Sequence, residues 1–420
     1  MSDTRARGGA GIEEQLQARR NVARSPAVQA TRLMSGEAWE KFCDLLRSAG
    51  KELLSEDCPD SPEERAEGHR YLLGLALSGI QQAVCLSDPA FPQFIRNPDS
   101  TAKWGAENAD NQYLWTRVSP DHRYQILGTR GSAYEFLVEV KEGYMQLGDA
   151  RNFATLDCSD LQLKGDGQFA IELGGEGPSS PQANWLPLAD DARYVAIRVY
   201  YCDWANEVPP EFRIVRLGSE GNAPTRLQPA DMADALDSAG EWIEASLLVW
   251  NEWARRLEAA HRPGEIAAAR SYVGGADDIH YGNDVFELGA DQAMIIETEV
   301  PDARYWSFQL GNRWFHSLDF SNRQTSLNSH QAHIDSDGRL RIVIAHSDPG
   351  VPNWLDTAGH GKGLLQYRWI WTRNNPQPAG RILKFSELSG ALPADTPQIT
   401  SAERRQRIAQ RQQHLWRRER

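Results

Sequence analysis

The chain has 420 residues, of which 40% are hydrophobic and 25% charged, with 14 tryptophans and a formal net charge of −13. That length allows two or three domains with well-buried cores. The acidic balance excludes nucleic acid as a main partner, because phosphate binding needs a basic footprint, and it favours a self-repelling particle in solution.

The five cysteines (Cys43, Cys58, Cys85, Cys158 and Cys202) are odd in number and widely spaced. Plain thiols in a reducing compartment are expected. The opening "MSDTRARGGAGIEEQ" lacks the apolar core of a secretion signal. The apolar stretch "YLLGLALSGIQQAVCL" (71–86) is too short and too polar for a span. These features point to a cytoplasmic protein with no membrane partner.

Taken in chain order, residues 1–35 are Arg- and Gly-rich and read as an arm or a short helix. From about 36 to 86 the pattern is helical, with Ser35 placed to cap "GEAWEKFCDLL" and Trp39, Phe42, Leu45 and Leu46 at helical spacing. A second helix is predicted over 63–86. From about 104 to 218, short β-prone runs such as "RYQILGT", "YEFLVEV" and "YVAIRVYY" alternate with Gly, Asp and Pro turns, which predicts antiparallel strands. Over 229–261, Met232, Leu236, Ala239, Ile243, Leu247, Trp250, Ala254 and Leu257 form one helical stripe, stopped by Pro263-Gly264. Short strands return from about 285 to 373. The tail carries a capping box, Thr400 and Glu403, and then seven arginines. It is expected to be a solvated helix with Leu415 and Trp416 docking back; an acidic partner or a neighbouring subunit is the less favoured use. The breaks divide the chain into a helical region (1–100), a first β module (101–222), a linking helix (223–275), a second β module (276–390) and a basic helix (391–420).

The two strand regions echo one another. "ADNQYLWTRVSPDHRY" (109–124) sets under "ADQAMIIETEVPDARY" (290–305) with Ala, Asp, Pro, Asp, Arg and Tyr in common. "GDGQFAIEL" (165–173) answers "SDGRLRIVI" (336–344), and "NWLPL" (184–188) answers "NWLDT" (353–357). Arg198 and Arg368 follow at similar distances. The ordered set implies two copies of one β module. The shared Asn-Trp-Leu is expected to be framework, with Asn closing a turn and the Trp N–H reaching a carbonyl. The fold class expected is α+β, with two related antiparallel β-sandwich modules, an N-terminal helical region and a long helix between the modules.

Where the first copy reads "LPLADDARY", the second reads "LDTAGHGKG". Five histidines (His316, His330, His333, His346 and His360) and five tryptophans (Trp306, Trp314, Trp354, Trp369 and Trp371) gather between 306 and 371. Several features of this region come in one order: Tyr305-Trp306, "SLDFSNRQTSLN" (317–328), Asp337-Gly338, "DPGVPNWLDT" (348–357), Gly359-His360 and Arg368-Trp369. With them the last third of the chain resembles the uncharacterised bacterial family called domain of unknown function 1214. The resemblance implies a jelly-roll-type sandwich and a soluble protein, and implies no reaction.

Three chemistries are weighed on the residues themselves. A metal site at His330, His333, His346 and His360 is disfavoured, because no Asp or Glu stands at a recognised offset. Nucleophilic catalysis lacks a Gly-X-Ser-X-Gly elbow. Acid–base catalysis fits better: His360, His346 and Asp356 are the candidate catalytic residues, and Arg323, Arg368, Asp319, Trp314 and Trp371 the candidate substrate contacts. Against this stands the bland use of each residue, as turn caps for Asp348 and Asp356 and core packing for the tryptophans. The expected function is a cofactor-independent enzyme acting on a small, largely apolar molecule, with no metal. The alternative is a non-catalytic carbohydrate- or lipid-binding protein. A homo-oligomer is compatible with either.

Overall fold

The computed structural model describes residues 24–86, 88–271 and 279–419. The first 23 residues of the arm, Ser87, part of the linker after the long helix and Arg420 lie outside the described residues. The chain forms two compact units. One comprises residues up to Trp104, Gln112–Val199 and Pro210–Glu252; the other comprises Gly105–Asn111, Tyr200–Pro209 and Trp253 onward.

The first unit opens with helix α1 (Pro26–Ser35), started by Ser25, whose side chain accepts the Val28 N–H, and by Pro26 in the first turn. Arg32 anchors α1 by donating to both carboxylate oxygens of Asp237, at 2.7 and 3.2 Å. Helix α2 (Glu37–Glu52) follows directly. Its cap differs from expectation: Gly36 occupies the cap at φ +85°, and Ser35 is the last residue of α1. A left-handed residue is needed to turn one helix into the next, and glycine meets that need at no steric cost. Helix α3 (Pro62–Cys85) is capped by Ser61 with Pro62 behind it, matching the predicted second helix to within a residue or two.

Strands β1 (Ile95–Arg96), β2 (Asn111–Arg117), β3 (Tyr124–Thr129), β4 (Glu135–Lys141), β5 (Asn152–Asp157), β6 (Gln168–Leu173), β7 (Asn184–Leu186), β8 (Tyr194–Tyr200) and β9 (Glu211–Arg216) follow. They make two sheets, β1-β2-β8-β4-β5 and β7-β6-β3-β9. Phe136 from one sheet meets Phe169 and Phe212 from the other, with ring centroids 5.6 and 5.0 Å apart, so the sheets share a core. Helix α4 (Pro229–Ala260) follows the expected stripe: Leu236, Ala239, Ile243, Leu247, Trp250 and Ala254 are all buried.

The second unit holds β10 (Ile279–Glu287), β11 (Gln292–Glu299), β12 (Ala303–Gly311), β13 (Ser326–Asn328), β14 (Arg339–Ala345), β15 (Trp354–Asp356), β16 (Lys362–Thr372) and β17 (Ala379–Lys384), then the short α5 (Leu388–Ala391) and α6 (Ser401–Arg418). Its sheets run β10-β16-β12-β13 and β15-β14-β11-β17. The core between them joins Phe308, Tyr367 and Trp369 to Ile296, Ile342, Ile344 and Leu355.

The two sheet orders are the same once β2 is matched to β10, β3 to β11 and so on to β9 and β17, with β1 as the one addition. Even the single parallel pair recurs, β6 with β7 and β14 with β15. Local devices repeat too. Asp166 and Asp337 each accept the N–H two residues on, at 3.1 and 3.0 Å, around glycines at φ +78°. The duplication is therefore real. Its first landmark needs correcting: 109–124 against 290–305 lays β2 on β11, one strand out of step. Pro-Asp followed by Arg-Tyr recurs because it serves two different turns, before β3 and before β12.

Candidate functional site

His346 continues from β14 and Thr357 from β15, two parallel neighbours paired through Ala345 and Asp356. The His346 Nδ1 lies 2.8 Å from the Thr357 hydroxyl, and Thr357 is fully buried. His346 and Ser347 form one wall of a cleft of about 260 Å³. Ala290, Asp291 and Gln292 at the start of β11, and Lys384, Phe385 and Ser386 at the end of β17, form the rest. The cleft thus sets one imidazole, one ammonium and one carboxylate around a partly apolar floor.

The histidine–carboxylate pair expected of His346 and Asp356 does not form. Paired residues on neighbouring strands share a face and successive residues alternate, so His346 and Asp356 leave the sheet on opposite sides. Asp356 instead accepts from Arg323 at 2.9 Å and from the Ala358 N–H at 2.8 Å, which is the turn-capping use. His360 lies beyond that turn, half-buried, its N–H donating to the Thr357 carbonyl at 3.0 Å. Ala358 and Gly359, at φ +52° and +92°, make the bend. Asp319 is exposed and accepts the N–H groups of Ser321 and Asn322 at 3.2 and 3.0 Å. The structure brings Arg323 and Asp356 together and leaves Asp319 capping its own turn.

The remaining candidates lie elsewhere. Arg368 is buried on the outer face of its sheet and donates to the Ala106 carbonyl at 2.8 Å. Trp314 is 1% exposed and has no face open to a ligand, which corrects its expected role. Trp306, Trp354 and Trp369 are buried as well. Trp371 is half-buried between Arg304 and Tyr200, with centroid distances of 4.5 and 5.2 Å. His330 and His333 diverge, one toward Asp203 at 3.7 Å and the other toward Asp335 at 3.8 Å. Among the described residues no three His, Cys, Asp or Glu side chains converge to hold a metal ion.

One buried cluster was not anticipated. Alternate residues of β12 and β16 (Tyr305, Ser307, Gln309; Gln366, Arg368) are polar, the pattern of a solvated sheet face, yet all are sealed. Segment 105–111 covers them. Tyr305 donates to Asp110 at 2.6 Å, Asn328 donates to the other Asp110 oxygen at 2.8 Å, and Gln309 bridges the Glu107 carbonyl and the Ala109 N–H. Burial pushes the Asp110 carboxyl above its usual range, against the pull of those hydrogen bonds. Helix α6 closes the same face: Arg411 reaches Phe320, Ser326 and Gln331, and Arg418 reaches the Ala109 carbonyl. Burial lowers Arg411 to about 10. The hydrogen bonds from β12, β13, β16 and α6 to residues 106–110 make the cluster a brace.

The family model described as "Protein of unknown function (DUF1214)" matches residues 118–203 and again 285–373. An uncharacterised protein from Burkholderia cenocepacia is 31% identical with a TM-score of 0.80, the alignment covering 85% of this chain and 99% of that one. The chain belongs to the DUF1214 family. The likeness is not confined to its last third, because both modules are DUF1214 copies. The VPA0106 protein from Vibrio parahaemolyticus also aligns, at 12% identity and a TM-score of 0.45, over 75% of this chain and 98% of that one. No curated protein matches.

The two DUF1214 copies differ where the cleft lies. Trp185 donates to the Gly174 carbonyl as Trp354 does to that of Ala345, at 2.9 and 3.0 Å, which equates Gly174 with Ala345. Gly175, Pro187 and Leu188 therefore stand where the second copy has His346, Asp356 and Thr357. The ionisable groups were gained, or kept, in one copy only. Among the described residues no helix is long and apolar enough to cross a membrane.

Proposed function

We propose that the second module binds a small molecule in the His346 cleft and acts on it by acid–base chemistry without a cofactor. The observation that carries this is the His346–Thr357 contact at the edge of the cleft, which fixes one ring nitrogen and leaves the other for a ligand. The cleft volume of about 260 Å³ suits a metabolite-sized molecule. Lys384 offers a point charge for one anionic group, and Ala290 and Phe385 offer apolar surface for the rest. Non-catalytic binding is the second reading. It is favoured by the partner of His346 being a hydroxyl, which stabilises an imidazolium less than a carboxylate does.

The test begins with native mass spectrometry of the purified protein to identify a retained ligand. Lys384→Met should weaken its binding about tenfold. His346→Ala should leave binding within a few-fold and cut turnover about 10²–10⁴-fold. Binding unchanged by both substitutions rules out the cleft; binding lost with no turnover in the wild type leaves the second reading.

A further inference from the structure

Helix α3 is apolar on two sides. One side, with Tyr71, Leu75, Ser78 and Gly79, is buried. There Gly79 lets α4 approach so closely that a Cβ would stand 2.7 Å from Ile243. On the other side Leu73, Leu77, Ile80 and Val84 are 71%, 53%, 44% and 63% exposed. A helix apolar all round belongs in an interior, and a contiguous exposed stripe of this kind marks an interaction surface.

We infer that this stripe is a homodimer interface, α3 packing antiparallel against α3 of a second copy. Three observations select that occupant. The steps from Leu73 to Leu77, Ile80 and Val84 are four, three and four, a spacing that reads the same in both directions. A two-fold axis between Ser78 and Gly79 sets Leu73 against Val84 and Leu77 against Ile80, the seam spacing of paired helices. The end charges also complement one another. Helix α3 has no basic residue in its last turn to meet its own C-terminal dipole. The antiparallel register brings His69 and Arg70 of the second copy level with that end, and with the exposed Asp88 just beyond it. Finally, residues 71–86 contain no charged side chain. His69 and Arg70 at one end fall short of the cluster of about four to eight basic residues that an anionic lipid surface requires, on a chain whose net charge is −13.

Sedimentation equilibrium of the full chain should show twice its monomer mass. The double substitution Leu77→Glu with Ile80→Glu acts at the centre of both copies, and should raise the dimer dissociation constant on the order of a hundredfold or more. Both positions are exposed, so the monomer should keep its circular dichroism and thermal midpoint. As a register check, mixing Leu77→Cys and Ile80→Cys proteins should give a mixed disulfide between the two positions in preference to either self-pair. Four outcomes overturn the inference. They are a monomer at every concentration, a dimer unaffected by the glutamates, dimerisation only after residues 1–23 are removed, or co-sedimentation with anionic phosphatidylserine vesicles that the glutamates abolish.

Discussion

The side chain of Asn353 joins three main-chain groups: its amide donates to the carbonyls of His333 and Arg341, at 2.7 and 2.8 Å, and its oxygen accepts the His333 N–H at 2.8 Å. Asn184 repeats the arrangement with Gln162 and Ala170. Each asparagine staples the loop before its Asp-Gly turn to the strand beyond it. Replacing Asn353 by Ala strands up to three polar groups. At about 1 kcal/mol or more for each buried group left unpaired, the cost should be roughly 2–3 kcal/mol, read from urea midpoints. Asn184→Ala should cost about the same in its own module. The sequence made this legible because the motif occurs twice, although the turn it closes joins distant segments and not its own backbone. Asp110 was not legible. Its partner Tyr305 lies 195 residues away, and nothing local marks an aspartate as buried.

At the scale of elements, α6 shows what local pattern can and cannot say. The capping box forms as expected, with Thr400 and Glu403 each accepting an N–H of the other. The face was misjudged. Arg404, Arg411 and Arg418, seven residues apart, make an inward stripe, and of the expected pair of anchors only one holds: Leu415 docks, while Trp416 is 62% exposed. Neighbouring residues point about 100° apart around a helix, so both could not dock. Sequence alone assigns arginine to water; here Arg404 donates to the Val351 carbonyl and to Asp348, and Arg411 to the Phe320 carbonyl. Arg411→Met keeps the stem and removes the donors. It should destabilise the second unit by roughly 2–4 kcal/mol, since Ser326 and Gln331 lose a charged donor. Thermal unfolding followed by tryptophan fluorescence would report it through Trp204, over whose ring Arg411 sits at 4.8 Å.

For the whole molecule, periodicity and repeated landmarks carried the α+β class, the long helix and the duplicated sandwich, because each sandwich is built from short-range turns and alternating strands. What escaped was how the second unit is completed. Its outer sheet face is finished by Gly105–Asn111 and Tyr200–Pro209, pieces of chain that precede the long helix. A fragment beginning at Trp253 would keep the sandwich core and lose the hydrogen bonds from Tyr305, Asn328, Gln309, Arg368 and Arg418 to residues 106–110. At about 1 kcal/mol net for each, the loss consumes much of the 5–15 kcal/mol that holds a typical domain folded. That fragment should give near-ultraviolet dichroism without fixed aromatic bands, and adding residues 100–252 on the same chain should restore them.

The same threading sets a timetable for synthesis. Asp110 leaves the ribosome 195 residues before Tyr305, a delay of roughly 10–40 s at ordinary elongation rates. The Ala109 carbonyl waits longer still, for Arg418, 309 residues on. A nascent chain of this protein must therefore carry an unfinished strip in the open until α6 has emerged, when the last turn of that helix locks it shut.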